Sequence, residues 1–435
     1  MGVLRYSRSM ESDLLELDRR HLVHPYLPVG DAAHVVFQRG EGVFLYDVDG
    51  RRYLDARSQL NCVNLGYGHP ALNAAIAAQL EQVAYVSLFY GFTHPQAVTA
   101  AARLAALTPG DLDRIAFTSG GSEAIEQALA LVRLYWSKID PARTTVISRL
   151  RGYHGNTAGA MSATGMPMGG MPGLPEIVPG HVRIPPPYPF RDGADARAAA
   201  DTLAAAIENE PAGTVAAFLA EPLLGVGGYL APPDGYWPLV REVCDAYGVL
   251  LIVDEVMTGF RRTGPMFACD HWGLVPDLLV MGKGMNGSYV PCGALAIGGR
   301  VGAAIEGASL SGFTHGGHPL ATAAVNAALD VYLDPAFEPR LADVASFVRD
   351  RLESEFLELP VVADIDGLGL MLGLELDLSP ERTAHLVDRA LERGLIVRGR
   401  DGRLSFSPPL VISREEADMA LDLLHEVLVE VSAGT

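Results

Sequence analysis

The chain has 435 residues, enough to bury a large core and to form two or three structural units. Hydrophobic residues make up 49% of it and its formal net charge is −19, which describes an acidic globular protein and argues against a nucleic-acid-binding surface. The four cysteines are far apart and form no CxxC pair, which argues against a disulfide framework or a zinc site and favours the reduced cytoplasm. No apolar run approaches the length of a membrane span.

The first part of the chain combines one helix with a small meander. Residues 12–22 have a helical pattern, and residues 34–56 alternate apolar and polar side chains around Gly and Asp-Gly turns, which predicts antiparallel strands. From about residue 70, alanine-rich helical stretches alternate with short apolar runs. The six runs are RIAFTS (114–119), TTVIS (144–148), TVAAFLAEP (214–222), GVLLIVDEV (248–256), DLLVMG (277–282) and GALAIG (293–298). This alternation predicts a largely parallel sheet with helices on both faces.

The C-terminal part predicts a second α+β unit. It contains a helix from about residue 320, an apolar strand at 370–377 and a helix whose first turn carries the proline of residues 379–381. The last helix is predicted to begin at Ser413, because Glu416 completes a capping box. A stretch rich in Gly, Pro and Met at 165–175 predicts an irregular loop.

A glycine-rich turn follows the first of the six apolar runs. The chain reads Ser-Gly-Gly-Ser up to Ser122, and a helix that begins there places apolar residues on one face. These are Ile125, Leu129, Val132 and Trp136. Gly121 and Ser122 at such a helix start could direct backbone N–H groups towards a phosphate. The pattern fits neither a Walker loop nor GxGxxG, and a plain strand-to-helix turn remains the alternative.

Two carboxylates end the buried run GVLLIVDEV. Asp254 and Glu255 occupy the carboxyl end of the predicted strand, where ligands bind in open α/β sheets. A carboxylate at this place could hold a cationic ring nitrogen or a metal ion, or it could form a salt bridge.

Aromatic and imidazole side chains occur in two glycine-rich loops. Tyr153 and His154 follow the run TTVIS, where an aromatic ring could stack on a flat cofactor, although a core tyrosine fits the pattern equally well. His315 and His318 have HxxH spacing. No acid or cysteine joins them and the surrounding glycines disfavour a helix, so no metal site is predicted.

Lysine is rare in this chain. Only Lys138 and Lys283 are lysines, against 31 arginines, and Lys283 lies between two glycines. Arginine stays charged, whereas a lysine amine can lose its proton and form a Schiff base with a carbonyl group. The competing interpretation is a surface lysine in a chain whose gene composition favours arginine.

Together these stretches resemble the class III aminotransferases, the ω-aminotransferase group of the pyridoxal-phosphate enzymes of fold type I. The resemblance runs from about residue 30 to residue 430, with the motifs in the order of the family. The motifs are SGGSEAIEQAL, GYHGNT, AEPLLGVGG, VDEVMTGFRRTG, GKGMNGSYVP, GFTHGGHPLA and LSFSPPLVIS.

The resemblance implies an aspartate-aminotransferase-like α/β fold. Its large domain would be a mostly parallel, seven-stranded sheet flanked by helices, and its smaller α+β domain would be built from both chain ends. The implied boundaries are 1–65 for the N-terminal helix and meander, which join the small domain, 66–318 for the large cofactor-binding domain, and 319–435 for the C-terminal small domain.

The resemblance also implies pyridoxal 5'-phosphate as the cofactor and Lys283, Asp254 and Tyr153 as the catalytic residues, with Lys283 forming the Schiff base and then moving the proton. Asp254 is implied to pair with the pyridinium nitrogen, and Tyr153 to stack on one face of the ring. The remaining cofactor-binding residues that it implies are Gly121, Ser122, His154, Glu221, Val256 and Thr314. Thr314 is implied to reach the phosphate from the partner subunit, which implies a homodimer or a pair of such dimers.

On the substrate side, Arg398 matches a mobile arginine that binds the substrate carboxylate in this family. The other implied substrate-binding residues are Asn61, Phe89 and Tyr90. The chain departs from the family pattern at three positions: Asn61 replaces an aromatic residue, Leu224 a polar one and Arg261 a glycine. The change at Asn61 favours a polar amine donor over a bulky aromatic one.

The sequence therefore predicts an aminotransferase that moves an amino group between a primary amine, or an ω-amino acid, and a small 2-oxo acid, with pyruvate as the first candidate. A decarboxylase or an aminomutase of the same fold remains the alternative, because these reactions differ only in the substrate bond that is cleaved. The presence of Lys283, Asp254 and the phosphate turn disfavours a non-catalytic binding protein. No nucleic acid, membrane or metal partner is expected, and the cytoplasm is the expected location.

Overall fold

The computed structural model describes residues 10–166, 178–188, 190, 193 and 195–433. Its strands, numbered in chain order, are β1 Phe37–Glu41, β2 Phe44–Asp47, β3 Arg52–Asp55, β4 Arg114–Thr118, β5 Thr145–Arg149, β6 His181–Ile184, β7 Val215–Ala220, β8 Leu250–Asp254, β9 Leu278–Met281, β10 Gly293–Ile297, β11 Val362–Leu368, β12 Met371–Leu376, β13 Leu395–Ile396, β14 Arg398–Arg400 and β15 Arg403–Phe406.

Helices separate these strands. The α-helical segments are Met10–His21, Ser58–Asn61, Pro70–Gln82, Pro95–Ala105, Gly121–Ile139, Ala158–Ala163, Ala196–Asn209, Tyr236–Tyr247, Gly299–Ala304, Pro319–Tyr332, Phe337–Arg351, Pro380–Glu392 and Arg414–Ala433. Shorter 3-10 turns are Phe89–Gly91, Ala268–Trp272 and Lys283–Asn286, and Leu352–Phe356 continues one helix as a π-helical turn.

The central sheet has seven strands in the order β4-β10-β9-β8-β7-β5-β6. Only β10 is antiparallel to its neighbours, so the predicted, largely parallel sheet is confirmed. Strands β5, β7, β8, β9 and β10 are buried along their whole length, as expected when helices cover both faces. Six strands coincide with the six apolar runs. The edge strand β6 was not predicted, because it is only four residues long and runs directly into three prolines.

Helix Gly121–Ile139 covers one face of this sheet. The predicted apolar stripe of Ile125, Leu129, Val132 and Trp136 is buried and packs in one cluster with side chains of β7, β8, β9 and β10, which confirms the predicted face. A larger cluster on the other face continues into the smaller sheets near the two chain ends. Because this helix is held along its length, its first turn has a fixed place at the edge of the sheet.

Segments from the two chain ends meet in the smaller sheets. The predicted meander β1-β2-β3 is antiparallel, and β13 pairs with β3 in parallel, with Leu395 opposite Leu54. Strands β11, β12, β15 and β14 form a separate antiparallel sheet. This pairing supports, as a proposal, the division into residues 1–65, 66–318 and 319–435.

Local signals for two C-terminal helices are confirmed by their hydrogen bonds. The Ser379 side chain accepts the N–H of Arg382 at the start of helix Pro380–Glu392. Ser413 and Glu416 form the predicted capping box, with reciprocal distances of 2.8 and 3.1 Å. Of the predicted irregular loop 165–175, residues 165 and 166 are described and the rest lie outside the described residues.

A buried guanidinium joins distant segments of the chain. Arg262 donates hydrogen bonds to the carbonyl oxygens of Leu370 and Pro408 at 3.1 and 2.7 Å, to Ser58 Oγ at 3.0 Å and to Asn64 Oδ1 at 2.8 Å. Burial lowers the pKa of Arg262 to about 10. These four bonds hold residues from the central domain and from both chain ends in one arrangement.

Candidate active site

The predicted site residues follow neighbouring strands at one edge of the central sheet. Strands β5, β7, β8 and β9 are adjacent and parallel, so their carboxyl ends meet at the same edge. Asp254 ends β8, Glu221 follows β7, Lys283 follows β9, and Tyr153 and His154 follow β5. The structure therefore brings these five predicted residues together.

Lys283 and Tyr153 both line a cavity of about 570 Å³. Its backbone φ is +42°, in the left-handed region, which costs a non-glycine residue about 1–2 kcal/mol. Burial lowers the pKa of the Lys283 amine, although the nearby Cys62 and Asp254 act in the opposite direction. The fold thus presents a partly desolvated amine in a constrained backbone conformation.

The Asp254 carboxylate is buried and held by two contacts. Its Oδ2 lies 2.8 Å from Nδ1 of the buried His154, and its Oδ1 accepts the N–H of Val256 at 3.1 Å. The other ring nitrogen of His154, Nε2, is buried and has no hydrogen-bond partner among the described residues. The contact with His154 places this histidine behind Asp254 and fixes the direction of the carboxylate.

Glu221 supports the loop that carries Tyr153. Its Oε1 accepts the backbone N–H of Tyr153 at 3.1 Å and its Oε2 accepts the N–H of Gly225 at 2.8 Å. Burial raises the pKa of the Glu221 carboxyl group. Burial also raises the pKa of Tyr153, to about 12, and the neighbouring Tyr26 acts in the same direction. Tyr153 is therefore a neutral phenol at the wall of the cavity.

The two consecutive acids after the fourth apolar run have different surroundings. Asp254 faces the site, whereas Glu255 points into the core, where it accepts the N–H of Cys269 at 2.8 Å and the hydroxyl of Thr258. Burial raises the pKa of Glu255 to about 7. Successive side chains of a strand point to opposite faces, and this alternation separates the two acids.

The glycine-rich turn forms a close-packed cradle at the start of helix Gly121–Ile139. A Cβ atom on Gly121 would lie 3.1 Å from Val256 Cγ1, and one on Gly155 would lie 2.4 Å from Ser122 Oγ. The Ser122 hydroxyl accepts the N–H of Asn156 at 3.2 Å. The first N–H groups of a helix have no partner within it and carry partial positive charge, so this turn can bind an anion without basic side chains.

These three features fit pyridoxal phosphate. Lys283 offers an amine for its aldehyde, Asp254 offers a carboxylate for its pyridinium nitrogen, and the turn at Gly121 and Ser122 offers N–H groups for its phosphate. Val256 lies between the first and third features, because its methyl groups are close to Gly121 in the turn and to Gly282, the residue before Lys283.

On the substrate side, Arg398 and Asn61 line the same cavity as Lys283. Arg398 lies in β14, and its Nη2 donates a hydrogen bond to the Val226 carbonyl at 3.3 Å. The Asn61 side chain accepts hydrogen bonds from the hydroxyls of Tyr229 and Ser407. The departure at Asn61 thus places a fixed polar group in the wall of the cavity.

Thr314, Phe89 and Tyr90 lie apart from the other predicted residues. Thr314 is exposed, and its carbonyl accepts the Tyr85 hydroxyl at 2.7 Å. Phe89 packs near Gly312, two residues before Thr314 along the chain, and Tyr90 is 95% exposed. Within its own subunit, the structure therefore places Thr314, Phe89 and Tyr90 together at the surface and not beside Lys283.

The other two departures from the family pattern, Arg261 and Leu224, and the HxxH pair make contacts away from the cavity. Arg261 has φ +69°, a conformation that favours glycine, and pairs with Glu338 at 2.6 Å. Leu224 packs in a small apolar cluster with two other buried side chains. His318 accepts the N–H of Leu320 at the start of helix Pro319–Tyr332. Neither Arg261 nor Leu224 is among the residues that line the cavity in the described part of the chain.

Two charged residues of the cavity lining, both arginines, were missed by the sequence analysis. Arg400 lies two positions after Arg398, so strand alternation could have indicated that both face one side. Arg57 lies in an irregular segment where Ser58 and Gln59 have positive φ, and no sequence signal indicates its direction.

Among the described residues, no group of three or more metal-ligating side chains could hold an ion. No described helix combines the length and apolar character that crossing a bilayer requires.

The comparisons with known proteins agree with this geometry. The family model "Aminotransferase class-III" matches residues 26–428. A putrescine–pyruvate aminotransferase of Pseudomonas aeruginosa is 32% identical over 96% of this chain and 96% of its own length, and an omega-aminotransferase of Caulobacter vibrioides is 34% identical over 90% and 92%. The crystal structure of an (S)-enantioselective omega-transaminase from Thermomicrobium roseum is 36% identical, with a TM-score of 0.91 over 97% of this chain and 98% of that one. The chain therefore belongs to the class III aminotransferases, which use pyridoxal phosphate as their cofactor.

Proposed function

We propose that this aminotransferase moves an amino group between a primary amine, or an ω-amino acid, and a small 2-oxo acid, with pyruvate as the first candidate. The observation that carries the proposal is that Lys283 and Arg398 line one cavity of about 570 Å³. A substrate can therefore place its reacting carbon near Lys283 and a carboxylate at Arg398, since a guanidinium and a carboxylate form paired hydrogen bonds.

In this proposal, Lys283 would hold the cofactor through a Schiff base to its amine, and the free amine would move a proton at the reacting carbon when substrate is bound. Burial lowers the pKa of the amine, which increases its neutral fraction near neutral pH. A neutral amine is both a nucleophile and a base, and arginine could serve as neither.

Pyridoxal phosphate, when bound, supplies an electron sink for the bond that breaks at the amine-bearing carbon. Asp254 is proposed to keep a proton at the ring nitrogen by ion pairing. The contacts of Asp254 with His154 and with the N–H of Val256 hold its carboxylate in one orientation. Positioned charges of this kind stabilise a reaction without reorganisation at the moment of bond breaking.

The other cofactor contacts are proposed from their positions around Lys283 and Asp254. Tyr153 would stack on one face of the ring, and Glu221 would hold the loop of Tyr153 in place. Val256 would pack on the opposite face. Gly121 and Ser122 would bind the phosphate. His154 would not contact the cofactor directly and would act by orienting the Asp254 carboxylate towards the ring nitrogen.

The acceptor and the assembly are also proposals. One relative bears pyruvate in its name, and this supports pyruvate for the present chain. A homodimer is supported by the exposed aromatic side chains of Tyr85, Tyr90 and Phe92, of which Tyr85 contacts Thr314, because large exposed apolar groups often mark contact surfaces. In such a dimer, Thr314, Phe89 and Tyr90 would act on the site of the partner. The four free cysteines fit the cytoplasm.

A panel of amines tests this function. The purified protein with cofactor is assayed with primary amines and ω-amino acids, each with pyruvate and with 2-oxoglutarate, and alanine and glutamate are measured as products. We expect alanine from at least one donor, at a higher rate than glutamate. Formation of carbon dioxide or an isomerised amine without any 2-oxo acid would instead support the decarboxylase or the aminomutase.

A further inference from the structure

Three arginines line the cavity of Lys283, although the formal net charge of the chain is −19. They are Arg57, Arg398 and Arg400, and no Asp or Glu among the described residues lines this cavity. One guanidinium suffices to bind a carboxylate through two hydrogen bonds. Two further guanidinium groups therefore line the cavity besides Arg398.

Strand β14 explains why Arg398 and Arg400 face the same space. Side chains two residues apart in a strand lie on one face, about 7 Å from each other. The opposite face belongs to Gly399, where a Cβ atom would lie 2.9 Å from Cγ2 of Thr383 and of Val387. That face is therefore closed by a helix, and the two arginines project together into the cavity.

Arg57 enters the cavity from a different segment, directly after β3. Its Nε is buried without a hydrogen-bond partner, and no ion pair of its guanidinium is found in the described part of the chain. The nearby Asp55 carboxylate is occupied by backbone N–H groups and a tyrosine hydroxyl. Arg400 pairs with Asp401 at 3.1 Å, but both side chains of that pair are largely exposed.

Arg57 and Arg400 both lie close enough to Arg398 to affect its guanidinium group. Burial lowers the pKa of Arg398, and the positive charges of Arg57 and Arg400 lower it further. Like charges that converge on one space repel each other, and an anion placed between them relieves that repulsion. Arg57 and Arg400 thus add positive charge around Arg398, where an anionic group of a substrate would reach it.

We propose that Arg57 and Arg400 form a second anion subsite, which binds the remote carboxylate of an ω-amino acid donor. This inference rests on the proposed function in one respect, namely that the amine of the donor must reach Lys283. The subsite should also repel a donor with an ammonium group at its far end. The present chain should therefore differ in donor choice from the relative that is named for putrescine, a diamine.

The kinetic test uses three donors that differ only at the end remote from the amine: 5-aminopentanoate, pentylamine and cadaverine. Each is assayed with pyruvate in the cofactor-loaded protein and in Arg57→Gln and Arg400→Gln. Arg389→Gln is the matched control, because Arg389 lies on an outer helix and pairs with Glu430. We expect kcat/KM to fall in the order acid, alkylamine, diamine. Each cavity variant loses a charge-assisted hydrogen bond to the donor carboxylate. The ratio of kcat/KM for 5-aminopentanoate to kcat/KM for pentylamine should therefore fall by roughly tenfold to a hundredfold in either cavity variant and stay unchanged in the control.

A binding measurement tests whether the second anion subsite exists, and it requires no turnover. Calorimetry of the cofactor-loaded protein compares glutarate with pentanoate, which lacks the second carboxylate. We expect glutarate to bind about tenfold tighter or more, and the preference to disappear in both cavity variants. Equal binding of the two acids, or a preference that survives both substitutions, would overturn the subsite. Failure of these three amines and of the whole amine panel to react would overturn the proposed function, while the glutarate comparison would still test the subsite.

Discussion

Replacement of Glu255 by glutamine tests whether the second acid of the Asp254–Glu255 pair belongs to the core. Burial raises the pKa of Glu255 from its ordinary value of 4.5 to about 7 in the folded chain. The folded state therefore binds this proton more tightly than the unfolded state does. The resulting stabilisation is complete below about pH 4.5 and is lost as the pH rises through about 7. A shift of about 2.5 pKa units corresponds to roughly 3 kcal/mol of unfolding free energy.

The assay is denaturant unfolding of the wild type and of Glu255→Gln at a series of pH values from about 5 to about 8.5. Glutamine stays neutral, so the variant lacks this pH dependence. We expect the unfolding free energy of Glu255→Gln to improve relative to wild type as the pH rises, by up to roughly 3 kcal/mol over the series. Glu353→Gln is the control, because Glu353 is exposed on a helix and its substitution should give a constant difference.

A constant difference between wild type and Glu255→Gln across the series would refute this reasoning. It would mean that Glu255 is equally ionised in the folded and unfolded chains, despite its burial. A loss of aminotransferase activity in Glu255→Gln, at a pH where the variant is fully folded, would instead place Glu255 in the site and contradict its assignment to the core.

The remaining predictions concern the site and its surroundings. Asp254→Asn should stay folded and lose at least about a hundredfold in kcat, since a lost buried ion pair costs about 3 kcal/mol or more; near wild-type turnover would assign the ring nitrogen to another acid. Arg261→Gly should change the unfolding free energy by no more than about 1 kcal/mol, because relief of the positive φ offsets the lost pair with Glu338, and a larger loss in denaturant unfolding would contradict this. Mixing Lys283→Ala with Thr314→Ala chains should restore activity in mixed dimers if Thr314 serves the partner, and activity no higher than the average of the parents would refute sharing.

The location of the site at the sheet edge could be predicted from the sequence because strand ends are easy to recognise. Asp254 follows five consecutive apolar residues, and Lys283 comes one glycine after a similar run, so both were expected where parallel strands end. The turn at Gly121 and Ser122 was recognisable for the same reason, because a glycine pair stands between a strand and a helix with a clear apolar face.

Other parts depend on contacts between distant segments and could not be predicted. The contact of His154 with Asp254 joins residues 100 positions apart, and no spacing rule encodes it. The direction of Arg57 depends on a backbone with several positive φ values among non-glycine residues. Glu255 was left open beside Asp254 because a sequence shows two adjacent acids but does not show which of them meets the core.

The most direct test of the whole account is chemical modification of Lys283. The purified protein is loaded with pyridoxal phosphate and reduced with borohydride, which makes a Schiff base permanent, and its peptides are then analysed by mass spectrometry. We predict that the reduced cofactor is attached to Lys283 and not to Lys138. Lys283→Arg, treated in the same way, should carry no adduct and show no turnover. An adduct on Lys138 in the wild type, or transamination by Lys283→Arg, would contradict the central claim that Lys283 holds the cofactor.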